Sequence, residues 1–330
     1  MAGVQDSALA IAVARAGGLG SLPGAMLTSE NLVAELEAFR DAGVLTYNLN
    51  FFCHTQPVID AERERHWRTT LAPYFREFGV DEDRIVAGPG RQPFSADTLA
   101  SIRPFRPKIV SFHFGLPEVA WIEDIQAWGG QVWSTATTLE EGRWLAARGA
   151  NAIIAQGQEA GGHRGVFLST DLATQGPTLD LLRALIRELP IPVIAAGGIA
   201  SPQRVQEALR SGAWAVQVGT AYLCCDEAKT SALHRAHLQS ERAQVTALTN
   251  LFSGRPARGI VNRLMADLGP IGDEVPEFPL ATAALAPLRA AAEAQGRADF
   301  TPLWCGTDAS GCRSVSAAEQ THWLLSAPRA

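Results

Sequence analysis

The chain has 330 residues, 47% hydrophobic and 19% charged, with 30 Gly and 19 Pro scattered rather than periodic, which excludes a disordered chain and a fibrous repeat. A formal net charge of -6, with no run of Lys and Arg interleaved with aromatics, excludes a nucleic-acid surface, and no apolar stretch approaches the roughly 20 residues of a membrane span. The 5 cysteines form no CxxC pairs, which fits a reducing, cytoplasmic setting and no structural metal.

The apolar run at residues 8–14 follows Asp6, has no basic segment before it and ends at Arg15-Ala-Gly-Gly18, so it reads as a helix rather than a secretory signal. Short β-rich runs follow at residues 19–22, 46–51, 109–112, 131–136, 152–156, 192–196 and 215–218. The later ones are apolar on both faces, as in a covered parallel sheet. Amphipathic segments such as residues 138–148 and 179–189 lie between them and end at Gly or Pro. This alternation predicts an α/β fold, a TIM (β/α)8 barrel in which seven strands are countable and the first is missing. Two strand edges would then need cover, and a start codon assigned downstream of the natural one is the expected explanation. Residues 53–106 read as an insertion, helical around residues 58–78, that caps the barrel mouth. From about residue 226 a helical stretch and then loops, including residues 252–259 and 303–306, precede a final helix, all within one domain spanning 1–330.

Two glycine-bearing strand ends, Ala195-Ala-Gly197-Gly198-Ile199 and Val218-Gly219-Thr220, are separated by one helix. Counting the missing strand as the first, these are the loops after strands seven and eight, where barrels of this kind commonly bind phosphate. Glycine lets backbone N–H groups approach an anion, and Ser201 as N-cap with Pro202 at the first helical position supplies a positive helix terminus. Tight turns alone would also use such glycines, but two adjacent loops with one chemistry favour a terminal phosphate. No GxGxxG follows a strand with a suitably placed acid, which argues against a dinucleotide.

The loop after strand six, Gly157-Gln-Glu159-Ala-Gly161-Gly162-His163-Arg164-Gly165, sets an imidazole among glycines at the same end of the barrel. That group can accept a proton near neutral pH or stabilise an anion. Arg164 reads more readily as a structural or solvated arginine than as an anion holder. Asn48 and Asn50 alternate to one side of their strand, where an amide bonds a flavin ring or occupies a polar core position. His54 and His113, taken singly, read as ordinary residues, and Cys224 and Cys225 as buried thiols. No His, Asp and Glu cluster has metal-ligand spacing.

Together, Met1-Ala-Gly-Val4, Ala16-Gly-Gly-Leu-Gly20, Asn48-Leu-Asn-Phe-Phe52, Ser111-Phe-His-Phe-Gly-Leu-Pro117, Gln158-Glu-Ala-Gly-Gly-His-Arg-Gly165, Ala196-Gly-Gly-Ile199, Val216-Gln-Val-Gly-Thr220 and Phe252-Ser-Gly-Arg-Pro-Ala-Arg-Gly259 resemble the nitronate monooxygenase family along essentially the whole chain. The resemblance implies non-covalent FMN in a TIM barrel, and oxidation of an alkyl nitronate or nitroalkane with O2 to a carbonyl compound and nitrite. It places the active-site histidine on His163, the phosphate contacts on Gly197, Gly198, Gly219 and Thr220, and further flavin contacts on Asn50, Thr135, Gln156 and Gly162. His163 would remove the α-proton of a neutral nitroalkane or, as imidazolium, stabilise a nitronate already formed. Two features depart from the family pattern. The chain starts at the Met of a segment that usually follows the first strand, and Trp304-Cys-Gly-Thr307 stands where relatives often carry Trp-Ala-Gly-Gln. The rival readings are an FMN-dependent enoyl-acyl-carrier-protein reductase, which has a similar Gly-Gly-His loop, and a non-catalytic flavin-binding barrel. Arg164, residues 111–117 and the Arg-Pro-Ala-Arg stretch favour the monooxygenase.

Overall fold

The structure is a computed structural model that describes residues 3–85 and 90–326. Seven strands form one parallel sheet in chain order: β1 (Ser21–Pro23), β2 (Asn48–Phe52), β3 (Ile109–His113), β4 (Gln131–Ala136), β5 (Ala152–Gln156), β7 (Val193–Ala196) and β8 (Ala215–Gln217). Each sits where the hydrophobic runs place it. The sheet curls and carries helices on its outside, the arrangement of a TIM barrel.

Strand alternation sorts the side chains between two environments. Leu49, Phe51, Val110, Phe112 and Val132 face outward into a core with the helices Ser29–Asp41, Ala96–Ile102 and Val119–Ala127. Ile153, Ala155, Val193 and Ala195 pack likewise against Leu139–Ala146, Thr178–Glu188 and Pro202–Arg210. The intervening positions Ile109, Trp133, Ile154, Ile194 and Ala196 cluster inside the curl. Asn50, His113, Thr135 and Gln156 share that inner face and border a cavity of about 880 Å³.

β1 and β8 are the sheet edges, and among the described residues no strand joins them. Helix Ser7–Arg15 packs against β1 and against the final helix, Ala317–Leu324, along this seam. Gln5 donates its side-chain amide to the Ser21 carbonyl at the β1 edge. The cavity reaches the seam, where Leu9 and Val13 border it from one side and Tyr222 and Leu324 from the other.

In the insertion, the helix runs from Ala61 to Phe78. It starts later than residue 58 because Asp60 accepts hydrogen bonds from the Glu62 and Arg63 amides and so caps it, leaving Val58 and Ile59 exposed. Trp67, Leu71, Tyr74 and Phe75 pack against Leu285, Leu288 and Ala292 of helix Thr282–Ala294, so the insertion and the C-terminal arm share one apolar core.

The arm also holds a correction to the sequence reading. Thr246–Thr249 (β9) and Ala257–Ile260 (β10) are antiparallel strands, and β10 also pairs with Gly162–His163 (β6), setting Ala257 opposite His163. The stretch 252–259, expected as loop, therefore ends in a strand. Its sequence Ala-Arg-Gly-Ile has little β propensity of its own, and cross-strand pairing overrides that weakness.

Candidate active site at the barrel mouth

Past β5 the chain turns at Gly162, whose φ of +75 favours glycine, and enters β6. Gln156 brackets this turn: its Nε2 donates to the His163 carbonyl at 2.9 Å, and its Oε1 accepts from the Gly165 amide at 2.8 Å. Arg164 is fully buried and points away from the cavity side of the loop. It donates to Gln156 O at 2.8 Å, Gly157 O at 2.7 Å and Gln175 Oε1 at 2.6 Å. Burial among neutral acceptors pushes its pKa down to about 10. Arg164 is thus a structural fastener of the loop.

His163 Nε2 lies 2.7 Å from Ser253 Oγ. Around its ring stand Phe278, Trp304 and Phe114, with centroids 5.3, 5.4 and 6.3 Å away in edge-to-face geometry. His113 Nε2 donates to the His163 carbonyl at 3.1 Å, and its Nδ1 accepts from the Thr135 hydroxyl at 3.1 Å. Both bonds suit a neutral ring, and burial pushes the His113 pKa down to about 3. Burial also holds His163 well below the ordinary histidine range, aided by the nearby charges of Arg91 and Arg255. His163 is therefore a neutral imidazole near pH 7.

Two guanidinium groups border the same aromatic box. Arg255 lies over Phe114 at 4.2 Å, and its Nη1 is buried without a hydrogen-bond partner. Arg91 lies 5.6 Å from the Phe278 centroid and lines the cavity. Among the described residues neither makes an ion pair with a carboxylate. The box thus carries positive charge without a carboxylate in direct contact, Glu141 and Glu277 acting on Arg255 only from a distance, and such charge attracts an anion.

At the other side of the cavity, Gly197 and Gly198 have φ of +122 and +66, and a Cβ at Gly197 would meet Thr178 Oγ1 at 2.7 Å. Gly219 has an ordinary φ of -113 and nothing within 4 Å of an added Cβ, so its backbone faces open space. Ser201 caps helix Pro202–Arg210 by accepting from the Arg204 amide at 3.3 Å. The Thr220 hydroxyl accepts from the Gly306 amide at 3.0 Å, tying this loop to the Trp304-Cys-Gly-Thr307 stretch. Asn50 donates to Ser111 Oγ at 2.8 Å, and Asn48 to Ser21 Oγ at 2.7 Å.

One cavity brings together Asn50, Thr135, Gln156, Gly162, His163, Gly197, Gly198, Gly219 and Thr220. Sequence reasoning missed Ser253, Phe278 and Arg91, which come from the arm and the insertion and carry no periodic signal. It also missed Glu159, whose carboxylate accepts from Thr178 N at 2.9 Å and Thr178 Oγ1 at 2.7 Å. Helix Thr178–Glu188 has no side-chain cap at Pro177, and Glu159 supplies the acceptor instead.

The sequence profile of the nitronate monooxygenase family matches residues 1–325. The chain belongs to that family. It is 40% identical over 327 residues to the nitronate monooxygenase of Pseudomonas aeruginosa, covering 98% of this chain and 93% of that protein. The nitroalkane oxidase of Streptomyces ansochromogenes matches the structure with a TM-score of 0.90 at 33% identity, over 98% of this chain and 92% of that one. FabK from Thermotoga maritima matches with a TM-score of 0.70 at 21% identity, over 98% and 89%, and shares the fold alone. Membership makes the chain an oxidoreductase of nitronates or nitroalkanes, in a family of flavoproteins. Among the described residues no helix is long and apolar enough to cross a membrane, and no group of three or more His, Cys, Asp or Glu could hold a metal ion.

Proposed function

We propose that the chain binds FMN without a covalent link and oxidises alkyl nitronates, and nitroalkanes after deprotonation, with O2 to a carbonyl compound and nitrite. The observation that carries this reading is His163 on the cavity that Gly219 leaves open, with the Arg91 guanidinium lining the same cavity and that of Arg255 over Phe114 in the aromatic box around the imidazole. A phosphate fits at that open backbone, with Gly197, Gly198 and Thr220 beside it and the Ser201-capped helix following. The inner-face amides of Asn50 and Gln156, with Thr135 and Gly162, would border the flavin ring. When bound, the flavin supplies the electron chemistry.

The chain's own residues do the rest. His163, neutral and facing the cavity, takes the α-proton from a neutral nitroalkane. Arg91 and Arg255 stabilise the nitronate anion that results, and bind one supplied preformed. Phe114, Phe278 and Trp304 keep water from the base, which strengthens both charges.

An anaerobic titration of the flavin-loaded protein with a panel of nitronates tests the reading. The flavin absorbance should bleach, and nitrite should appear once O2 is admitted. Rapid bleaching by NAD(P)H with no response to any nitronate would overturn it. His163→Asn should lose roughly 10²- to 10⁴-fold in kcat/KM for neutral nitroalkanes while retaining FMN.

A further inference from the structure

The loop between β9 and β10 delivers one side chain to His163. Ser253 is 1% exposed, 90 residues away in sequence, and puts Oγ 2.7 Å from Nε2. The loop holding it has little freedom. Gly254 has φ +89, and a Cβ there would lie 2.2 Å from the Pro276 carbonyl. The Gly254 amide donates to Asn250 O at 2.7 Å, the Asn250 side chain bonds both Gly272 N and Gly272 O, and Thr282 Oγ1 donates to Phe252 O at 3.0 Å.

A neutral imidazole and a hydroxyl at this distance have two proton arrangements. In one, Nε2–H donates to Ser253 Oγ, the hydroxyl donates onward to the Arg255 carbonyl at 3.5 Å, and Nδ1 keeps its lone pair. In the other, the hydroxyl turns to Nε2, the Arg255 carbonyl loses that donor, and Nδ1 carries the proton. Nδ1 has no hydrogen-bond partner among the described residues, and His163 borders the cavity. Only the first arrangement offers the cavity a nitrogen able to accept a proton.

We propose that Ser253 is the positioning residue of His163, accepting Nε2–H through a hydroxyl that donates to Arg255 O and so leaving the Nδ1 lone pair to take the substrate's α-proton. The proposal rests on the reading of His163 as a base. In that step the C–H bond breaks, its electron pair delocalises into the nitro group, and the proton moves to Nδ1. The resulting imidazolium keeps Nε2–H on Ser253 and pairs with the nitronate just formed.

The test uses the FMN-loaded protein labelled with 15N-histidine, with the His163 signals assigned by their loss in His163→Asn. Nδ1 is expected to be the unprotonated nitrogen, and Ser253→Ala to give a tautomer mixture. The same variant should lose about 10-fold or more in kcat/KM for a neutral nitroalkane, leave the rate with preformed nitronate nearly unchanged, and be rescued by Ser253→Thr. An unprotonated Nε2 in the native protein overturns the proposal, as does a Ser253→Ala enzyme whose two substrate forms fall equally. The tautomer is read without turnover, so it holds or fails even if His163→Asn shows that His163 is not the base. If Ser253→Ala does not fold, the native tautomer and the nitroalkane-to-nitronate rate ratio of Ser253→Thr decide.

Discussion

His113 donates from Nε2 to the backbone carbonyl of His163 at 3.1 Å, so it orients His163 through its peptide rather than through its ring. Burial of the His113 ring, and not this bond, ties stability to pH, because the bond itself favours the protonated form. An unfolded histidine titrates near 6.5 whereas folded His113 titrates at about 3, so between these values the unfolded chain binds the extra proton. The stabilisation is complete above about pH 6.5 and is lost as pH falls toward 3. Buried His54 and His234, each lowered to about 4, act in the same direction. Melting temperature should therefore fall below pH 6.5, and His113→Gln should shallow the slope by up to about 1.4 kcal/mol per pH unit. A melting temperature in His113→Gln with the native pH dependence would contradict this.

Activity should show the same sign for a different reason. On the proposed reading His163 must be unprotonated to act as the base, and burial with the Arg91 and Arg255 charges lowers its pKa. With neutral nitroalkanes, the acid limb of kcat/KM should lie well below pH 6.5. Arg255→Met removes one of those charges, so the limb should move to higher pH. A native acid limb centred at the ordinary histidine value would show that the field does not act on His163.

Two glycines that look alike in sequence should fail in different ways. Gly219 has ordinary backbone angles and open space beside it, so Gly219→Val should fold normally while its side chain occupies the space proposed for the FMN phosphate. Its FMN dissociation constant should rise about 10-fold or more, at least 1.4 kcal/mol. Gly197 sits at φ +122 against Thr178, so Gly197→Ala should lower the melting temperature of the cofactor-free protein. Fluorescence titration with FMN and thermal melts separate the two outcomes, and equal melting temperatures for both variants would refute the distinction.

Arg164 lies beside His163 in sequence but belongs to the scaffold. Arg164→Ala leaves the carbonyls of Gln156 and Gly157 and the Gln175 amide without their donor, at about 1–3 kcal/mol for each buried group left unpaired. Arg164→Lys should recover only part of this, because an ammonium lacks the planar fork. Chemical denaturation measures both. A native midpoint in Arg164→Ala would show that the fork contributes nothing.

The barrel strands and the glycine loops were legible because their signals are local. The apolar run of β5 is buried on both faces, and Gly197 and Gly198 need the left-handed region that their type suggests. The Gly162-His163 turn stood out for the same reason. The surroundings of His163 were not legible. Ser253, Phe278 and Trp304 lie far from His163 in the chain, and β10 exists through its pairing partners rather than its composition. Arg164 shows the converse limit, because a guanidinium next to a candidate catalytic histidine gives no sign in sequence of whether it turns outward or locks the backbone.

The pairing of β6 with β10 also sets an order of assembly. Each barrel strand bonds to the next strand along the sheet, so the barrel and its glycine loops can form through chain closures that, even across the insertion between β2 and β3, are shorter than those that bring the arm back. The box around His163 closes only when the segment carrying β9, β10 and Trp304 folds back across nearly a hundred residues or more. A chain caught between these stages would hold its sheet and its glycine loops yet have a misdirected imidazole, so competence to turn over substrate should lag behind recovery of secondary structure during refolding.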